Sequence, residues 1–501
     1  MTNTLRTPFG VFTGRKGDNV VQYRGIKYAS VKDQIAVPEL VMNYGDDIID
    51  ATNLGPRAPA MDGCDFEQNV LIQGSLGPSE GDPKSSGTEC LNLNITVPDT
   101  LSLKPLPVMV FIHGGGFIMG ANYWPQYDPS QLVKYSNTLD TPVIAVNINY
   151  RLAVLGNLTS EELRKAGYPG GFGGDPENVT VFGESAGAAA TLMHLFSEEP
   201  LFKRVISMSG TPIMLKPLPI EVTEMAYSSI MKELGLKHAT VEERIQKLTS
   251  ISPEDLVAKT PMSTPLIPFL DSDIIPERTT FSALSSQAGS STPSVPGREW
   301  CEELIIGDCE HDGNVFLFMG LADRKAGIAS SLRASLTKNI SQEAAEAILG
   351  AYKISDSTPD DEAMQSIIAL ATDIAYYTPA ISFARSFPGK TYYYNFNEPN
   401  PWDGIFKGCA THMLDAAFLF QNFNEHLSPE AREVTFKLGK DFIAFANGKK
   451  PWEEFGTTGS KEEVRVYGPD NGRRDVLFRL SEEGKVDLDA LSVAWDLFLA
   501  S

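Results

Sequence analysis

The spacing of apolar residues changes period several times along the chain. Residues 91–97 alternate apolar and polar side chains, the period of a strand with one buried face. Residues 107–112 and 142–148 are near-continuous apolar runs, as expected of strands buried on both faces of a parallel sheet. Residues 205–208 and 304–307 repeat that pattern, 391–396 read as a further strand, and 475–480 as a late one. Residues 7–50 read as short strands and turns, at Gly10-Val-Phe, Val20-Val-Gln-Tyr and Gly25-Ile-Lys-Tyr-Ala, and 51–90 as loop rich in Gly, Pro and Ser. Helical spacing occupies 221–234, 241–248 and 253–259, then 313–355, 360–387, 428–447 and 487–500. Buried strands interleaved with helices predict an α/β fold around a mostly parallel sheet. The one linker-like stretch, 288–297, is short and strand patterning resumes beyond it, so residues 1–501 read as a single domain without internal repeats.

Composition narrows the classes. With 42% hydrophobic and 21% charged residues, a 501-residue chain can bury a large core. Asp and Glu outnumber Lys and Arg by 64 to 42, a net charge of −22, and no basic cluster interrupts it. That balance argues against nucleic acid and anionic membrane as partners. Residues 1–30 show no basic-then-apolar leader and no apolar run reaches spanning length, so a cytoplasmic protein with no membrane span is expected. The odd number of cysteines, five, does not suggest a disulfide-stapled fold. In that compartment the acceptor sequons at Asn94, Asn157, Asn178 and Asn339 are inert.

The candidate chemistry begins at 179–187. A β-branched and aromatic run ends at Phe182, Gly183-Glu-Ser-Ala-Gly187 follows, and an Ala-rich helix former comes next. Strand, sharp turn and helix with a serine at the turn push the Ser185 hydroxyl out at the carboxyl end of a sheet. The glycines flanking it leave room for the turn, and the helix N-terminus favours negative charge nearby. His113-Gly114-Gly115-Gly116-Phe117 follows the buried run 107–112. Successive glycines can turn peptide N–H groups toward one point and, with the N–H of Ala186, hold a developing oxyanion. A serine needs a base. Of the six histidines, His113 belongs to the glycine stretch and His194 lies too far along the serine helix, while His238 and His426 sit in polar, helix-rich stretches. His412 follows a late loop and is the candidate base. A third group must hold the imidazole's tautomer, and Asp308, Glu310 and Asp312, just past the run 304–307, are all candidates.

Taken together, Gly25-Ile-Lys-Tyr-Ala, Glu89-Cys-Leu-Asn-Leu-Asn, His113–Phe117, Asn149-Tyr-Arg, Phe172-Gly-Gly-Asp-Pro-Glu-Asn-Val-Thr, Gly183–Gly187 and Leu201-Phe-Lys-Arg-Val-Ile resemble the type-B carboxylesterase/lipase family. This is the cholinesterase-like branch of the α/β-hydrolases, and among its members the chain looks most like fungal-type carboxylesterases. The resemblance covers nearly the whole chain. It implies an α/β-hydrolase fold with helices on both faces of the sheet and large helical excursions. It implies Ser185 as nucleophile, His412 as general base, and Gly115, Gly116 and Ala186 as oxyanion donors. The family's acid directly precedes a glycine, which selects Asp312 before Gly313, although Glu is usual there. It also implies a loop disulfide between Cys64 and Cys90 in secreted members; in a reducing cytosol these are free thiols. Family members carry a further helix between the positions of Arg151 and Phe172, and its shortening here predicts uncovered apolar surface near the nucleophile.

The expectation is therefore a serine carboxylic-ester hydrolase acting through an acyl-enzyme on a small-molecule ester, with neither metal nor organic cofactor. Phe117, Trp124 and Trp402 are candidates for an apolar substrate pocket, or for plain core packing. Two alternatives remain: a catalytically impaired, esterase-like binding protein, and a lipase. The sequence carries no signal for oligomeric state.

Overall fold

The computed structural model of the chain describes residues 2–45, 47–81, 83–100, 104–167, 179–272, 274–287, 295–456, 462–472 and 474–501. Its strands, in chain order, are β1 (Thr2–Thr7), β2 (Gly10–Lys16), β3 (Val20–Lys27), β4 (Ala29–Ser30), β5 (Glu39–Leu40), β6 (Ile48–Ala51), β7 (Asn92–Pro98), β8 (Val108–Ile112), β9 (Ile144–Ile148), β10 (Val179–Glu184), β11 (Arg204–Met208), β12 (Glu303–Cys309), β13 (Lys390–Phe396) and β14 (Val464–Tyr467). Twelve of these form one sheet, ordered β1-β2-β3-β7-β9-β8-β10-β11-β12-β13-β14, with β6 beside β2. From β9 to β14 every neighbouring pair is parallel. The antiparallel part, β1, β2, β3 and β7, is confined to one side.

The apolar runs explain this order. No residue of β8, β9 or β10 is exposed, and β12 is buried along its whole length, as an inner strand covered on both faces must be. Two large hydrophobic clusters form the core. Val181, Val205, Leu304 and Ile306 belong to the one that also holds the helices of 328–384, while Met109, Phe111, Phe182, Ile206 and Ile305 belong to the one that holds the helix Pro429–Ala446. Alternate residues of one strand thus feed opposite layers, which is the strand's period of two. Because the strands run parallel, β8, β10 and β12 present their carboxyl ends, and the glycine, serine and acid loops that follow them, at the same edge.

The elbow after β10 depends on close backbone approach. A Cβ on Gly187 would lie 1.9 Å from the carbonyl oxygen of Ile112 in β8, and a Cβ on Gly183 would lie 2.4 Å from the Gly187 carbonyl carbon. Neither neighbour is a flexible side chain, so the serine helix Ala186–Met193 could not stay seated against β8. Gly187→Ala is expected to lower unfolding stability by about 3 kcal/mol or more, read as a fall in the urea midpoint. An unchanged midpoint would show that the helix can shift without cost.

Several elements depart from the sequence reading. Residues 475–480 are not a strand: Val476–Glu482 is a helix, with Leu477 and Leu480 on its buried side. The last strand is instead Val464–Tyr467, and the polar N-terminus forms β1. Residues 67–72, read as loop, form a π-helical turn. The helical run Asp360–Ser386 is long and apolar enough to cross a membrane by length and composition, which the sequence reading had not found. However, 83% of its apolar window is buried inside the protein, as in a core helix.

Among the described residues of the shortened stretch after Arg151, the apolar side chains are packed rather than open. Ala153–Asn157 and Glu161–Lys165 form short helices, and Val154, Leu155 and Leu163 pack on Tyr227, Ile230, Met231 and Leu248. Residues 172–178 of the resemblance stretch and most of the linker-like 288–297 lie outside the described residues. Cys64 and Cys90 are not joined, and all five cysteines are free thiols, as expected of that pair in a reducing cytosol. The two side chains belong to different packing environments. Cys64 lies 3.2 Å from Gln68 Nε2 and packs on one core cluster, while Cys90 is buried in the other.

Candidate active site

Ser185 occupies the turn between β10 and its helix with φ 56° and ψ −120°, a conformation that L-residues rarely adopt. The surrounding backbone holds it there. Its N–H donates to Met208 O at 2.9 Å, and its carbonyl accepts from Ala189 N at 3.0 Å. The side chain takes part in neither bond and is half-buried.

Across from it, the triple glycine turns sharply. Gly115 and Gly116 have φ of 94° and 63°, and the Gly115 carbonyl accepts from Ile118 N and Met119 N at 3.0 and 3.1 Å. A Cβ on Gly114 would lie 3.1 Å from the Ser185 Cβ, so the loop passes directly over the serine. Tyr150 steadies it by donating to His113 O at 2.8 Å and stacking on the His113 ring at 4.5 Å. Burial pushes the His113 imidazole down to about 4, so that ring is neutral. Among the described residues, the N–H groups of Gly115, Gly116 and Ala186 meet no protein acceptor. Amides left without a protein acceptor beside the serine are what an oxyanion site requires.

His412 and Asp312 come together from two other loops. His412 Nδ1 lies 2.8 Å from Asp312 Oδ1, with both residues buried. The other oxygen, Asp312 Oδ2, accepts from Cys309 N at 2.8 Å. The two loops are tied by backbone, since His311 N donates to Ala410 O at 2.9 Å. The other two acid candidates are engaged elsewhere. Asp308 accepts from Tyr393 Oη and from Asn395 Nδ2 and pairs with Arg474, while Glu310 takes Asn471 Nδ2 at 2.6 Å. His238 and His426 are exposed, and His194 turns its Nδ1 to Ala190 O at 2.6 Å. With its Nδ1 facing Asp312, His412 directs Nε2 at the elbow, 3.3 Å from Glu184 Oε1. No hydrogen bond joins Ser185 Oγ to His412 among the described residues. In unliganded enzymes such bonds are often long or misaligned and tighten with substrate.

Sequence reading missed Glu184, the variable position of the Gly-x-Ser-x-Gly turn. It is fully buried, and neither carboxylate oxygen has a hydrogen-bond partner among the described residues. Burial drives its proton affinity far above the ordinary carboxylate range, and Asp415, Glu67 and Asp312 add to that. An uncharged carboxyl beside His412 fits those surroundings better than an ion pair. Asp415, pushed up to about 6 by burial and by Asp312, accepts from Tyr394 Oη at 2.7 Å. The only sequence signal for either residue was an acidic side chain within three positions of the serine or histidine.

Glu67 completes this buried acidic group. Its Oε2 accepts from Tyr127 Oη at 2.6 Å and Gln126 Nε2 at 2.8 Å, while Oε1 is without a partner among the described residues. Burial pushes it up to about 7, against the pull of those two donors. Folded protein therefore keeps this proton to about pH 7, whereas the unfolded chain loses it near the ordinary 4.5. The native state binds more protons in that window, so the group's contribution is intact below pH 4.5 and is lost as pH rises through 7. Glu67→Gln is expected to gain stability relative to the parent across this window, by up to about 3 kcal/mol at pH 8. Urea unfolding of both proteins at pH 5 and pH 8 checks this; a pH-independent difference would contradict it.

Of the pocket candidates, Phe117 (φ 63°) is buried in the same cluster as Ala186 and Ile112. Trp124 stacks on Tyr127 at 6.1 Å, and Trp402 lies edge-on to Phe423 at 5.1 Å, both packing with the opposite cluster. The ring of Tyr376, unmarked in the sequence, lies 5.2 Å from that of His412. Among the described residues no group of three or more His, Cys, Asp or Glu side chains is placed to hold a metal ion.

A sequence model of the carboxylesterase family matches residues 1–167 and 170–481. The para-nitrobenzyl esterase of Bacillus subtilis is 28% identical over 495 residues, covering 90% of this chain and 91% of that protein. Lipase 3 of Yarrowia lipolytica is 27% identical over 470 residues, covering 87% and 86%. A solved PNB esterase superposes with a TM-score of 0.69 at 24% identity, covering 93% of this chain and 95% of that one, a likeness of fold.

Proposed function

This chain belongs to the carboxylesterase family and is a carboxylic ester hydrolase, and we propose that it works through Ser185 as nucleophile, His412 as general base and Asp312 as the acid that orients it. The observation that carries this reading is the His412 ring, with Nδ1 2.8 Å from buried Asp312 and Nε2 turned to the elbow that holds Ser185.

Asp312 Oδ1 holds the Nδ1 proton on its side and leaves the lone pair of Nε2 free. Nε2 takes the hydroxyl proton as Ser185 Oγ bonds to the ester carbonyl carbon. The carbonyl oxygen becomes an oxyanion among the N–H groups of Gly115, Gly116 and Ala186. Each such donor is worth about two to three orders of magnitude in rate. The C–O bond to the alcohol breaks, and the alkoxide leaves with the proton from His412. Water then adds to the acyl-Ser185 ester, giving its proton to His412, which returns it to Oγ as the carboxylic acid departs. Phe117, which directly follows Gly116, is the residue we assign to the acyl side. An intact set of these residues weighs against the catalytically silent alternative.

The test is hydrolysis of p-nitrophenyl butyrate by purified protein. Saturable release of nitrophenol far above the buffer rate is expected; release no faster than in buffer would reject the assignment.

A further inference from the structure

Segments that adjoin the candidate catalytic groups also wall one small cavity. The loop after β11 crosses the elbow, where a Cβ on Gly210 would lie 2.1 Å from Ser185 O, and three residues further on Ile213 lines the cavity. The turn that begins at Asp312 supplies Phe316. The π-helical turn Asp373–Tyr377 supplies Ala375, directly before Tyr376. The Tyr376 ring lies 5.2 Å from that of His412 and 6.2 Å from that of Phe316. The remaining wall is the C-terminal helix Leu488–Leu499, through Trp495 and Asp496. The cavity encloses about 230 Å³ and is partly open to solvent. That is space for a few heavy atoms, a chain end rather than a long tail.

Trp495 distinguishes this cavity from a packing gap. It is 3% exposed and stands edge-on to Phe316 at 5.5 Å, yet its Nε1 has no hydrogen-bond partner among the described residues. A buried indole N–H ordinarily finds an acceptor, and leaving it unpaired is costly. The indole can only donate, so the group that satisfies it must accept. The charges on the wall narrow the choice. Lys216, the one cation lining the cavity among the described residues, is already paired with Asp496 at 2.7 Å. A carboxylate entering here meets Asp496 and no spare positive charge, and an ammonium cannot accept from Nε1. An uncharged oxygen, as in a ketone, an ether or an ester carbonyl, meets both conditions.

We propose that this cavity receives the end of the substrate's acid chain and that Trp495 Nε1 selects acids carrying an uncharged oxygen acceptor there. Phe117, assigned to the acyl side, is buried in the same cluster as Ile213, Phe316 and Trp495, which makes the acid arm the one that reaches the cavity. The proposal rests on the hydrolytic reading above and adds to it the class of acid.

The test uses p-nitrophenyl esters of straight-chain acids with a ketone at each carbon in turn from roughly the fourth to the eighth, a span set by the cavity's small size. Each is compared with the ester carrying a methyl branch in place of the oxygen. The expectation is a ketone preference in kcat/KM of about tenfold or more at one chain position. Trp495→Phe keeps an aromatic ring and removes the N–H, and is expected to bring that preference down to the level seen at the other positions. Ala375→Leu fills the cavity from another wall, and is expected to cost the preferred keto ester about tenfold more than it costs p-nitrophenyl acetate. Both readouts are ratios within one protein, so a smaller folded fraction does not imitate them. No ketone preference at any position in the parent would overturn the proposal and leave the hydrolytic reading standing. So would a preference that survives Trp495→Phe, or equal losses on the two esters in Ala375→Leu. No hydrolysis of any of these esters, acetate included, would overturn the hydrolytic reading and this inference with it.

Discussion

Ser185→Ala is expected to lower kcat on a short-chain nitrophenyl ester by roughly six orders of magnitude, the scale seen when a triad nucleophile is removed. The substitution deletes one oxygen and keeps the Cβ, so the strained backbone at φ 56° and ψ −120° is neither relieved nor worsened. The backbone bonds that hold the turn, to Met208 O and from Ala189 N, do not involve the side chain. The variant should therefore unfold at the parent's urea midpoint while losing turnover. A kcat within tenfold of the parent would remove Ser185 from the reaction. A lowered midpoint would show that the loss came from the fold instead.

The second large effect is at the acid. Asp312→Asn is expected to lower kcat by about four orders of magnitude, because the two oxygens of Asp312 have two different donors to satisfy. Oδ1 faces His412 Nδ1 and Oδ2 faces Cys309 N, each at 2.8 Å. An asparagine has only one oxygen. If its NH2 faces Cys309, two donors oppose each other in a buried place. If it faces His412, Nδ1 must accept, the ring proton moves to Nε2, and the base is lost. Either arrangement harms the imidazole's function while the neighbouring packing is unchanged in volume. Retained activity within tenfold would mean that another group holds the ring. Glu184, 3.3 Å from Nε2, is on the wrong nitrogen for that purpose.

The sequence carried the sheet well where burial was two-sided. The runs at 107–112 and 142–148 became β8 and β9 because only inner strands tolerate such continuous apolar character. It carried the edges poorly. Thr2–Thr7 is a polar outer strand with little periodic signal, and Val464–Tyr467 is too short to give one. The segment 475–480 misled because Val476, Leu477, Phe478 and Leu480 suit either period over so few residues, and packing of Leu477 and Leu480 made it a helix. At the site, Ser185 and the glycines were legible because their backbone demands leave a residue signature. The acid was legible only through family likeness, which chose Asp312 because it precedes Gly313: by residue type Asp308, Glu310 and Asp312 look alike, and it is the Arg474, Tyr393 and Asn471 partners that engage the other two. Glu184 stayed hidden because its burial, not its identity, makes it unusual. Cys64 and Cys90 are free thiols, the state expected of them in a reducing cytosol; their pairing in secreted members was implied by likeness alone.

The most direct test of the account is the site and rate of covalent capture by a fluorophosphonate, mapped by peptide mass spectrometry in the parent and in His412→Ala. The account predicts a single adduct on Ser185, formed rapidly in the parent and thousands of times more slowly in the variant, on the scale of a lost triad base. An adduct on any other residue, or equal rates in the two proteins, would contradict it.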